Sequence, residues 1–172
     1  MPFTSRVRDE SGMTIIELMV AAVICALGIM ATIGVMDTSR QTAVKSEWRD
    51  VMAHQGEREL ERLMELPWAN LAHGTGAAPT TSPYAGTPSG GSFAWDRKDT
   101  TKTAPLVTAS TGQVAGTASP WNDNQSRLEG QVHRYVTSIS TYSRRVTVVV
   151  TAEGTDPPPP LLLSSIKTQP IT

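Results

Sequence analysis

An apolar run from Met13 to Met36 sets the tightest limit on what this chain can fold into, because it is membrane-length yet holds one carboxylate, Glu17. Taken as helix it is roughly 36 Å long, enough to cross a hydrocarbon core of about 30 Å. An ionisable side chain inside such a span is strongly disfavoured unless it finds a partner, so Glu17 is read as functional by default.

The residues before the run decide what kind of span it is. A cleaved secretory signal has its apolar region ahead of the cut and an A-x-A-like site after it. Here a short polar leader, Met1 to Ser11, precedes Gly12, and the apolar region follows. The hydrophobic helix is therefore expected to stay in the mature chain. Basic residues do not set its orientation, since Arg6 and Arg8 lie before the span while Arg40, Lys45 and Arg49 lie after it.

The arrangement Gly12-Met13-Thr14-Ile15-Ile16-Glu17-Leu18 resembles the processing site of type IV prepilins and pseudopilins. The resemblance implies cleavage after Gly12 by a prepilin peptidase, methylation of the new amine at Met13, and use of Glu17 for entry into a filament. It also implies an N-terminus facing the cytoplasm and a bilayer as the surroundings before assembly. Other pilins or pseudopilins and an inner-membrane assembly platform would be the partners. Pairing the Met13 amine of one subunit with Glu17 of its neighbour would offset part of both desolvation costs.

Along the same helix Ala21, Cys25, Gly28 and Thr32 recur at i, i+4, i+7 and i+11, which gathers small side chains on one face. Such faces allow close helix approach in a membrane or a filament core, although small residues are common in any membrane helix. No proline lies between Pro2 and Pro67, unlike many major pilins, and Gly28 and Gly34 are the candidates for softening the helix.

From Asp37 to Leu66 the chain turns polar without a breaker and reads as a continuation of the helix. Val44, Trp48, Val51 and Met52 form an apolar stripe, followed by Leu60, Leu63 and Met64 on a face rotated near Gly56. Arg49, Asp50, Arg58, Glu59, Arg62 and Glu65 are expected on a solvated face. Pro67 ends the helix. The stretch Ser46 to Ala72, with Glu47, Trp48, Arg49, His54, Glu59-Leu60-Glu61-Arg62 and Leu66-Pro67-Trp68, also resembles minor pilins labelled type IV pilus modification proteins. That resemblance implies a subunit that primes assembly or modifies a filament tip.

Residues 67–131 are rich in Thr, Ser, Gly and Pro without a sustained period. Long loops are expected, with short strands near Phe93 to Trp95 and Leu106 to Val107, and with Trp95 and Trp121 as anchors. Residues 132–172 read as β: Val132 to Ile139 and Arg145 to Ala152 form a hairpin, Pro157 to Pro160 a connector, and Leu161 to Ile166 a third strand. Tyr135 and the Val146 face are expected against the Trp48 side of the helix. The fold class is thus α+β, a long N-terminal helix packed on a small antiparallel sheet, in five parts: leader 1–12, membrane and assembly helix 13–36, amphipathic continuation 37–66, loop-rich region 67–131 and β-region 132–172. A pilin-like fold follows from the resemblance.

Chemistry is sparse. Net charge is -1, which favours no nucleic acid, and the single cysteine, Cys25, sits in the apolar run, so no intrachain disulfide forms. His54, His73 and His133 are scattered; His54 with Glu57 and Glu61 is a weak metal arrangement, and Asn122-Asp123-Asn124 suits an Asx turn better than calcium. No catalytic residue, cofactor site or metal site is expected, and no enzyme. Arg97, Lys98 and Lys102 near Trp95 could serve a filament-displayed ligand- or DNA-binding module, but Asp96 and Asp99 interrupt them. A minor pilin is the leading reading, a type II secretion pseudopilin the nearest alternative, and a single-span protein that never polymerises the third.

Overall fold

The computed structural model describes residues 14–82, 91–94, 96, 99, 101–154 and 157–170. One helix, α1, runs Ile15–Glu65. Thr14 caps it, its Oγ1 accepting the Glu17 N–H at 3.3 Å, which satisfies one of the orphan donors of the first turn. Two compact units divide at Ala43 and Val44, and α1 contributes to both.

In the first unit every described residue is exposed, and Ile15, Leu18, Ile24, Met30 and Val35 present large apolar side chains. Among the described residues the strands all lie in the second unit. These are β1 (His73–Gly74), β2 (Ser92–Ala94), β3 (Thr103–Pro105), β4 (Thr108–Ala109), β5 (Ser119–Asp123), β6 (Leu128–Ser140), β7 (Ser143–Glu153) and β8 (Leu161–Thr168). The main sheet has the order β5-β6-β7-β8 and is antiparallel throughout. The long helix on a small antiparallel sheet expected from sequence is thus the fold, as is the hairpin, with Val136 opposite Val146.

Alternation along the strands makes two cores. On one face Val132, Val136, Val146, Val148 and Val150 bury with Met52 and Leu63 of α1, and Trp48, Val51, Leu60 and Met64 pack around them. Val44, placed in that stripe from sequence, is exposed instead. Gly56 is what lets the helix approach: a Cβ there would lie 2.6 Å from Leu163 Cδ1 and 3.3 Å from Val150 Cγ2. A mid-helix glycine costs about 1 kcal/mol in propensity, and the close packing offsets it.

Tyr135 corrects the expectation placed on it. It lies one residue out of phase with Val136, so it points to the opposite face, where it buries with Phe93 and Val149. The Phe93 and Tyr135 rings stack at 3.8 Å between centroids, 10° from parallel. The Tyr135 hydroxyl donates to the Thr81 carbonyl at 2.7 Å. Burial pushes its pKa up to about 12, so it stays a donor at physiological pH. Phe93 thus brings β2, paired with β3, onto the back of the sheet, while Leu71 and Val114 beside the β1-β4 pair bury in the core on the helix side.

Three further differences arise from contacts distant in sequence. Strand β5, read as loop, pairs with β6 from Ser119 opposite Val132 to Asp123 opposite Leu128. Trp121 sits in it as a buried anchor, donating from Nε1 to the Thr151 carbonyl at 3.2 Å, whereas Trp95 lies outside the described residues. Glu59, placed on a solvated face, accepts from Arg134 Nε at 2.6 Å and is nearly buried, as is Arg134. The end of α1 is held by cations: Lys167 Nζ donates to the Met64 and Leu66 carbonyls at 2.5 and 2.6 Å. Arg144, opposite Lys167 in the sheet, donates to the Trp68 and Leu71 carbonyls at 2.7 Å and stacks 4.2 Å above the Trp68 ring. Carbonyls left without helical partners thus receive charged donors.

Candidate functional site

The candidate site is the start of α1. Thr14 at the cap and Glu17 three residues on form the capping-box pattern, of which the bond from the Glu17 N–H to Thr14 Oγ1 is made. Glu17 stands in the first turn, where the helix dipole favours a carboxylate. Sequence reasoning singled out Glu17 but passed over Thr14, although Ser or Thr three residues before Glu, ahead of an apolar run, is itself a signal. Gly12 and Met13, the processing residues, lie outside the described residues.

Ala21, Cys25, Gly28 and Thr32 share one side of the helix and all are exposed; Cys25 is a free thiol. No Cβ contact would form at Gly28 or Gly34. The threonine hydroxyls are satisfied within the helix: Thr32 donates to the Gly28 carbonyl at 2.8 Å, Thr38 to Gly34 at 3.0 Å and Thr42 to Thr38 at 2.9 Å. Self-satisfied hydroxyls and intact helical ladders leave this surface fit for surroundings that offer no hydrogen bonds. The first half of α1, largely apolar and exposed at every described residue, is suited to a bilayer or to packing against similar helices. It is long and apolar enough to cross a membrane.

In the second unit the other sequence candidates separate. His54 Nδ1 stands 4.0 Å from Glu57 Oε2 at an exposed site, and among the described residues no group of three His, Cys, Asp or Glu is arranged to hold a metal. Asp123 Oδ2 accepts from the Ser126 N–H at 2.8 Å and its hydroxyl at 2.6 Å, so the carboxylate closes its own turn; these bonds hold its pKa below the usual range. Lys102 pairs with Asp96 at 2.9 Å and Asp99 at 3.7 Å, while Arg97, Lys98 and Trp95 lie outside the described residues.

Residues 7–33 match the prokaryotic N-terminal methylation motif family. No curated protein and no solved structure matches the chain. The chain therefore carries a prepilin-type methylation motif followed by an apolar helix of membrane-spanning length, on a pilin-like α+β architecture. These features are consistent with the type IV pilin and pseudopilin superfamily. The motif implies processing by a peptidase and methyltransferase.

Proposed function

We propose that this chain is a non-enzymatic filament subunit, a minor pilin of a type IV pilus. It is processed after Gly12, methylated at Met13, and assembled through the helix that begins there. Before assembly it spans the inner membrane once with its N-terminus in the cytoplasm, residues 1–12 being the leader. Afterwards the apolar surface that met lipid meets the helices of neighbouring subunits. The observation that carries this reading is Glu17 in the capped first turn of a helix whose apolar surface is exposed along its whole first half. The amine at Met13 of one subunit neutralises Glu17 of the next, and the small-residue face of Ala21, Cys25, Gly28 and Thr32 lets the helices approach.

The test is the N-terminal mass of the protein isolated from membranes and from sheared filaments of its host. A chain starting at N-methylated Met13 and recovered with filaments supports the reading. A chain retaining Met1 to Gly12 reduces it to a single-span membrane protein, and recovery with secretin and exoprotein components instead of pilus motors assigns it to secretion.

A further inference from the structure

Beside the docked half of α1 lies a groove whose charge is unbalanced. Two adjoining hollows, of about 390 and 210 Å³, share Glu59, Arg62, Ser119 and Arg134 along their common wall, and Arg58 lines the larger. Among the described residues Glu59 is the one carboxylate lining either hollow, and it is already engaged, with Arg134 Nε at 2.6 Å and Arg62 Nη1 at 3.5 Å. Three guanidiniums thus face one carboxylate.

The arginines differ in readiness. Arg134 is 7 % exposed and fixed by Glu59 and by Ser119 Oγ at 2.8 Å. Those bonds use Nε and Nη1 of a group with five N–H donors. Arg62 is 73 % exposed and paired only loosely with Glu59, at 3.5 Å, while lining both hollows. Pro120, Trp121 and Val132 supply an apolar wall to the larger hollow, which weakens screening of any charge seated there.

We infer that this groove docks an acidic side chain carried by a partner polypeptide, its carboxylate meeting Arg62 and Arg58 beside the pre-set Arg134 and its stem lying on Trp121. A polypeptide fits better than a free acid for two reasons. The hollows follow one another along α1, as successive side chains of an extended segment do. Ser119, Pro120 and Trp121 in the larger hollow belong to β5, an edge strand of the sheet, and edge strands are where extended chains pair. The inference holds whether or not the protein polymerises.

The full-length protein in an uncharged detergent is titrated calorimetrically with the peptide Ac-Glu-Gly-Glu-Gly-Glu-NH2, its Gln counterpart and inorganic phosphate. The Glu peptide binds saturably at low salt, about tenfold or more tighter than the Gln peptide, and loses affinity as salt rises. The double variant Arg58→Gln, Arg62→Gln, altered only at exposed positions, loses the same factor while its unfolding temperature stays near that of the parent. Equal binding of the Gln peptide or by the double variant, or no saturable binding of the Glu peptide, overturns the inference. Saturation by phosphate without the peptide also overturns it, making the groove a small-anion site.

Discussion

The imidazole of His73 stands in for a strand at the edge of β6, its Nε2 accepting the Val136 N–H at 3.2 Å while Nδ1 donates to the Val114 carbonyl at 3.2 Å. β5 covers only the first part of β6, and beyond it Val107 donates to the Val136 carbonyl at 2.9 Å, so ring and loop together complete the ladder. Both bonds require the neutral ring with its proton on Nδ1.

Acid should therefore weaken this fold. Burial holds the His73 pKa below its ordinary value of 6.5, opposed in part by the Val114 bond. His133 is lowered too, by burial and by the neighbouring Arg134 charge. The unfolded chain then takes up protons first as pH falls, so the stabilisation present above about 6.5 is lost progressively toward the lower folded values. Urea unfolding in detergent from pH 8 to pH 5 should show that decline. His73→Ala should lose about 1–3 kcal/mol at neutral pH, by leaving the Val136 N–H buried without a partner, and should give a flatter pH profile.

Thr137 and Thr147 offer the opposite test. Their hydroxyls are buried on the Tyr135 face with no hydrogen-bond partner among the described residues. Valine keeps the shape and the β-branch while removing the stranded polar atom, so Thr147→Val and Thr137→Val should each raise stability by about 1 kcal/mol. A loss measured by the same unfolding assay would mean that the hydroxyls are paired.

Glu59 and Arg134, 15 % and 7 % exposed, join helix to sheet. Removing one partner strands the other, so Glu59→Met should cost about 3 kcal/mol. The double change to methionine at both positions should recover most of that. A double-mutant cycle on chemical denaturation reads the coupling directly.

Gly56 separates helix propensity from space. Leu163 Cδ1 is the end of a flexible side chain and can yield, so Gly56→Ala should change stability by less than about 1 kcal/mol, propensity offsetting crowding. Gly56→Leu cannot be accommodated against Val150 and should cost about 2 kcal/mol or more, seen as a lower midpoint of unfolding.

For the N-terminal site, Glu17→Val should leave the protein inserted and cleaved yet absent from sheared filaments. Thr14→Ala should weaken the cap by about 1 kcal/mol and leave cleavage intact. Wild-type recovery of the Glu17 variant in filaments, scored by immunoblot, would remove the carboxylate from the assembly step.

Much of the architecture was legible because it rests on local pattern. The apolar run, its stop at Pro67 and the alternating valines of β7 each state their structure within a few residues. Strand β5 was hidden because Ser119-Pro120-Trp121-Asn122-Asp123 has neither alternation nor β-branched residues. It is a strand only because β6 lies beside it.

By itself the sequence carried the motif around Gly12 and Glu17 through its resemblance to prepilin processing sites, and the apolar helix, the α+β class and the hairpin through periodicity and the places where polar groups are missing. Tertiary structure alone decided that Tyr135 faces away from α1, that Glu59 is a buried ion-pair partner, that His73 completes a sheet edge, and that Arg58, Arg62 and Arg134 line one groove. Each of these depends on groups brought together from distant parts of the chain, where burial and pairing, not spacing, set what a side chain does.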